Sequence, residues 1–239
     1  MTPTFKLGVG WCTRFTHPIK RKLWPSRLAS AYRAPCFFAA EMSQAARGHP
    51  IEFMTFDEEL MVDQLDGSKA RIQENSDVIY FSTHGGYSHG RYRVYLKRGE
   101  WFPTQVALGQ KGPAIAVFDT CDLVDLSDAN WSKEWQGSHI GPALRLVLGF
   151  ASLASDCDGS SSRGARFAKH MIAGKPVVEA WLTAVHSTAF DHDTYDRGFA
   201  IALGDDPQDA RDTLDNATLG LWPGPRTGPV IHIAWKLCH

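Results

Sequence analysis

Two apolar runs of this chain end in residues that could do chemistry together. Asp77 to Thr83 leads into His84-Gly85-Gly86, and Ala114 to Phe118 leads into Asp119-Thr120-Cys121. As parallel neighbouring strands they would deliver an imidazole and a thiol side by side at the carboxyl edge of one sheet, where open α/β sheets carry their ligands. A cysteine beside a histidine is a nucleophile with its base. The thiolate attacks a carbonyl, the imidazole takes the thiol proton and returns one to the leaving group, and prepositioned N–H donors hold the oxyanion. The backbone N–H groups of Gly85 and Cys121 are the natural donors, because glycine lets the chain approach a substrate closely. Taken singly, either residue reads as structural, since a free cysteine commonly serves as a small buried hydrophobe. The expected catalytic set is therefore the pair His84 and Cys121, with Gly85.

The elements needed to position that pair follow from the pattern. Strands are expected over Phe5–Trp11, Ile51–Phe56, the two runs above, Leu146–Leu153, Phe199–Leu203 and Val230–Trp235, and a hairpin over Arg91–Phe102. Helices are expected from Pro35 to Arg47, within Glu58–Asn75, from near Gly141-Pro142, and over Ser162–Ile172, Pro176–His186 and Pro207–Leu219. Repeated β-α-β order implies one α/β domain over residues 1–239, a three-layer sandwich with a mostly parallel central sheet of about six strands and helices on both faces.

Ser82-Thr83-His84-Gly85 after one strand and Val117-Phe118-Asp119-Thr120-Cys121 after the next resemble the caspase-like cysteine peptidases (clan CD): caspases, metacaspases, clostripain, gingipains, separase and CHAT domains. The chain is also similar to a bacterial branch, the domain of unknown function 6345. The tracts Val147–Leu153 and Phe167–Ala180 resemble the region after the cysteine in CHAT-type proteins. The resemblance implies a caspase–hemoglobinase-like fold, a cysteine endopeptidase acting through a thioester, His84 as base and acid, Cys121 as nucleophile and Gly85 as oxyanion donor. It also implies a role for Asp119. Metacaspases and clostripain carry Asp two residues before the nucleophile, where a carboxylate pairs with the Arg or Lys preceding the cut. The plain alternative is a strand-end aspartate that caps local N–H groups. The sequence departs from the metacaspase pattern after the cysteine, where Asp122-Leu123 replace a small residue and glycine. Facing the thiol, Asp122 would raise its pKa; with Asp125 and Asp128 it could instead supply substrate contacts.

Composition sets the outer limits. The chain has 239 residues, is 44% hydrophobic and 21% charged, and carries a net charge of −1. That balance gives no electrostatic case for nucleic acid or an anionic membrane, and Lys20-Arg21-Lys22 reads as a solvated loop. No run approaches the roughly 20 apolar residues of a membrane span, no secretory leader is apparent, and 5 scattered cysteines fit reduced thiols in a cytoplasm. The expected partner is a polypeptide substrate, and no feature sets an oligomeric state.

Other candidates line up around the pair. Asp156, beside Cys157, lies on a loop placed to reach the substrate cleft, with Cys157 itself read as a structural thiol. Tyr87, Tyr92, Trp131 and Trp135 flank the site loops, as substrate contacts or as loop anchors. His84, His89 and Asp119 could be read as metal ligands, but glycine-rich turns with incidental histidine are commoner, and EF-hand spacing is absent; no metal or cofactor is expected. Asp191-His192-Asp193 reads as a solvated loop. Autoprocessing would fall near Arg21 or Arg163. Two rival functions stand beside the peptidase: a non-catalytic caspase-like interaction module, and a cysteine-dependent hydrolase or acyltransferase acting on a small molecule or modified peptide.

Overall fold

The computed structural model describes residues 4–15, 28–45, 48–55, 75–97, 99–105, 108–189, 195–230 and 232–238. The basic cluster at 20–22, the helical material expected within 58–74 and Asp191-His192-Asp193 lie outside these residues.

Apolar side chains run continuously along the central strands because both faces of the sheet are covered. The strands are β1 (Leu7–Trp11), β2 (Ile51–Thr55), β3 (Val78–Ser82), β4 (His84–Ser88), β5 (Arg91–Leu96), β6 (Gly99–Trp101), β7 (Ile115–Asp119), β8 (Leu146–Phe150), β9 (Gly198–Gly204) and β10 (His232–Leu237). Seven of them form one sheet in the order β10-β9-β8-β7-β3-β1-β2, and β4, β5 and β6 form a second, antiparallel one. β2, β1, β3, β7 and β8 are parallel; β9 runs antiparallel to β8, and β10, antiparallel to β9, returns to the direction of the parallel set. The fold is thus α/β with a mostly parallel main sheet, whose seven strands correspond to the seven runs expected outside the hairpin.

Strand alternation splits the core in two. Val78, Tyr80, Val117 and Leu148 face one hydrophobic cluster, and Ile79, Phe81, Phe118 and Val147 face the other. Among the described residues the first is closed by four helices, α1 (Arg33–Gln44), α2 (Arg163–Ile172), α3 (Val177–His186) and α4 (Pro207–Asn216). α1 and α2 approach so closely that a Cβ on Gly164 would lie 1.9 Å from the Ala34 carbonyl oxygen. α4 has the strongest start signal, with the Asp206 side chain accepting from the Asp209 N–H and Pro207 at the first turn.

The second face differs from the expected helical layer. Among the described residues it is covered by the small sheet and by the loop carrying Leu123, Trp131, Trp135, Ile140 and Leu144. The helix expected near Gly141-Pro142 is a tight turn. Gly141 packs against the Gly109–Gln110 backbone, and Arg226 takes the Gly141 and Ile140 carbonyls, which leaves no room for a helix before β8.

Candidate functional site

Strand register puts the two expected groups at the same level. β3 and β7 pair in parallel with Ser82 opposite Asp119, so His84 and Cys121 each lie two residues past that pair, at the carboxyl edge. The sheet order reverses between β1 and β3, and such a switch point opens a crevice at strand ends. After Ser82 the chain leaves the main sheet, the Thr83 hydroxyl donates to the Tyr95 carbonyl at 2.6 Å, and His84 opens β4 opposite Tyr95. Gly85 is the contact between the two motifs. A Cβ there would lie 2.5 Å from the Thr120 Oγ1 and 2.6 Å from the Cys121 carbonyl oxygen, so only glycine lets β4 cross the Thr120–Cys121 backbone.

His84 and Cys121 line one cleft of about 700 Å³, together with Asp119, Asp156, Cys157 and Arg163. The His84 ring is buried and lies 4.5 Å from the Phe15 ring centroid, against the segment that follows β1. The walls are Leu28–Ala31 and Ala34 on one side and Leu153–Cys157 on the other. The 91–102 hairpin is not a wall. Tyr92 is fully buried, its hydroxyl is hydrogen-bonded to Thr120, and its ring packs on Phe118 and Trp135.

The thiol is poised as a thiol. Burial pushes Cys121 up to about 11; the Ala154 N–H, donating to the sulfur at 3.3 Å, pulls it down, while Asp122, Asp119 and Asp196 push it further up. Asp122 has a left-handed backbone (φ 49°), which aspartate tolerates better than most residues. Its N–H donates to the Ser152 carbonyl, tying the residue after the cysteine to the facing loop.

Asp119 lines the cleft but is committed internally. The Arg163 Nη1 donates to its Oδ1 at 2.6 Å and the Tyr80 hydroxyl to its Oδ2 at 2.9 Å. Burial raises the carboxyl above its ordinary range, and the guanidinium pulls against that. Asp119, expected at the floor of a basic-residue pocket, thus lines the cleft with both carboxylate oxygens already partnered inside the protein. Arg163, 1% exposed, also donates from Nη2 to Asp196 Oδ1 at 2.7 Å, and its guanidinium carbon lies 4.7 Å from the Phe150 ring centroid. Burial opposes its charge, and the two carboxylates outweigh that. Arg163, named above in a candidate autoprocessing region, is therefore itself enclosed in the folded chain.

Of the remaining expected contacts, Asp156 is exposed at the cleft, held by the Ser30 N–H at 3.2 Å. Burial and then Asp119 raise its carboxyl, while Ser30 and the Arg33 and Arg163 cations lower it. Asp122 and Tyr87 fall outside the cleft lining. The Tyr87 hydroxyl donates to Asp128 at 3.1 Å, and Trp131 and Trp135 are buried, so these aromatics are loop anchors. Among the described residues no three His, Cys, Asp or Glu side chains form a group that could hold a metal, and no helix is long and apolar enough to cross a membrane.

Sequence reasoning missed Arg163, Asp196 and the Ala154 donor. One signal was available for the first: a cation in the opening turn of a helix opposes the macrodipole, so Arg163 at the start of α2 implies a specific anionic partner. A family model described as Domain of unknown function (DUF6345) matches residues 38–216, which contain both strand-end motifs and Arg163. No curated protein matches the chain.

Proposed function

The chain belongs to the DUF6345 family, and we propose that its site is that of a thiol-dependent hydrolase of peptide bonds, related to the caspase-like peptidases. The observation that carries this reading is one cleft lined by both Cys121 and His84 at the ends of adjacent parallel strands. His84 takes the Cys121 proton as the sulfur attacks the scissile carbonyl carbon. The oxyanion is held by the N–H groups of Gly85 and Cys121. The C–N bond breaks as His84 gives its proton to the leaving amine, which leaves a thioester. Water, losing a proton to His84, cleaves the thioester and restores the thiol. A thiol held up to about 11 makes the imidazole obligatory, because little thiolate exists at neutral pH without it. No step requires a cofactor.

The preference for Arg or Lys is proposed to rest on Asp156, the exposed carboxylate of the cleft, in place of Asp119, which Arg163 already occupies. One observation favours a second reading, a non-catalytic interaction module: burial and nearby carboxylates both work against thiolate formation. Hydrolysis of fluorogenic peptidyl-Arg and peptidyl-Lys amides separates the two. The peptidase reading expects turnover that is lost in Cys121→Ser and falls about 10²–10⁴-fold in His84→Ala. Turnover by neither wild type nor variants on any peptidyl amide contradicts it and leaves the module.

A further inference from the structure

The buried ion pair beneath the cleft closes a ring around the thiol. From Cys121 the chain runs back two residues to Asp119, whose Oδ1 accepts from Arg163 Nη1. Arg163 Nη2 donates to Asp196 Oδ1. Asp196 accepts in turn from the Ser155 N–H at 3.0 Å and from the Ser155 hydroxyl at 2.6 Å. Ser155 follows Ala154, whose N–H returns to the Cys121 sulfur at 3.3 Å. Two further backbone bonds brace the same loop, Asp196 N–H to the Leu153 carbonyl and Asp122 N–H to the Ser152 carbonyl. Arg163 is the one side chain in the ring that touches both carboxylates. Its planar fork serves two acceptors in fixed directions, which an ammonium does not reproduce.

We infer that Arg163 is a positioning residue: by holding Asp119 and Asp196 on one guanidinium it clamps the 153–156 loop onto the cysteine loop, holding the Ala154 N–H on the sulfur of the half-buried Cys121. The consequence for turnover rests on the hydrolase reading, but the clamp itself does not. The ionisable groups around the thiol are Asp119 and Asp122 on its own stretch of chain, Asp196 and Arg163 beneath it, Asp156, Cys157 and His84 in the lining of the same cleft, and Tyr92 in the hairpin. Opening the ring admits water and releases the Ala154 donor; burial is the larger of these two opposing effects on the thiol, so its loss sets the direction. The apparent thiol pKa then falls from about 11 towards the ordinary value of roughly 8.5.

The test is iodoacetamide alkylation of the full chain across pH, read residue by residue by peptide mass, in wild type, Arg163→Lys and Ser155→Ala. Cys12, fully buried at the end of β1, reports global opening. A fall of about two pKa units gives ~100-fold more thiolate at pH 8, reduced to about tenfold in rate by the lower nucleophilicity of the more acidic thiol. The expected result is that increase at Cys121, with the pH midpoint lowered and Cys12 unchanged. A Cys121 rate and midpoint equal to wild type, or Cys12 rising in step with Cys121, overturns the clamp. Ser155→Ala removes one hydroxyl from the ring and decides the matter if Arg163→Lys does not fold. Selective exposure of Cys121 in a chain that hydrolyses no peptide would support the clamp and contradict the hydrolase reading.

Discussion

Two carboxylates in this molecule, Asp119 buried and Glu134 half-buried, solve the same problem differently. Under the cleft, Asp119 has a guanidinium: Arg163 is 1% exposed and bound to Asp119 and Asp196 together. Behind the hairpin, Glu134 accepts from the Tyr92 N–H through both oxygens at 2.8 Å and from the Thr104 hydroxyl at 2.9 Å. Burial dominates there and pushes Glu134 up to about 7, with those donors and Arg91 pulling it down. One carboxylate is neutralised by a fixed cation and the other by a proton near neutral pH. The first solution fixes geometry, which suits loops proposed to hold a nucleophile. The second makes the hairpin face sensitive to pH and leaves the site face alone.

The sharpest way to break this contrast is to remove the cation. Arg163→Met strands two buried carboxylates and is expected to cost about 3–5 kcal/mol in urea unfolding at pH 7.5. At the same pH Glu134→Gln is expected to be neutral or stabilising, since it replaces a group that is partly charged and poorly solvated. Equal costs for the two substitutions would end the distinction.

Glu134 itself predicts a pH slope. Its folded pKa, about 7, lies above the unfolded value near 4.5, so between them the folded chain holds a proton that the unfolded chain has released. Its contribution to stability is full below about pH 4.5 and is lost as pH rises through about 7, on the order of 2–3 kcal/mol in total. Unfolding of wild type and Glu134→Gln compared at pH 5 and pH 8 isolates this term: the variant should lack that part of the slope. Parallel pH profiles would show that Glu134 stays ionised in the folded protein.

Gly85→Ala tests the contact between the two motifs. The added methyl meets Thr120 and the Cys121 carbonyl, and a cost of about 1–3 kcal/mol is expected from thermal unfolding, with weakened labelling of Cys121. The smallest effect belongs to Asp156→Asn. An exposed pair with a substrate cation is worth roughly 0.2–1 kcal/mol, so KM for arginyl substrates should rise by up to about fivefold with kcat little changed. A larger loss of selectivity in Asp119→Asn than in Asp156→Asn would return the basic-residue pocket to Asp119.

Much of the fold was legible because continuous runs such as Val78–Ser82 and Leu146–Phe150 are what a strand covered on both faces requires. The helices at 163–172, 177–186 and 207–216 carried ordinary start signals. The far face was not legible. Its hydrophobic positions, from Tyr92 and Trp101 to Trp135 and Leu144, lie on short strands and loops with no sustained period. At the site, the strand-end motifs announced the cysteine and histidine. What the sequence could not express is that Arg163, 44 residues after Asp119, returns to claim its carboxylate. A local motif shows which residue types lie near Cys121, and long-range pairing decides which of them a ligand can reach.

The most direct test of the central claim is labelling by a peptidyl-arginine acyloxymethyl ketone, read by intact mass, on wild type, Cys121→Ala and His84→Ala. The account predicts one adduct on wild type, none on Cys121→Ala, and labelling slowed by at least about 10²-fold in His84→Ala, because the proposed mechanism has the half-buried thiol deprotonated by the imidazole. An adduct that persists in Cys121→Ala, or equal rates with and without His84, would contradict the His84–Cys121 pair as a catalytic site.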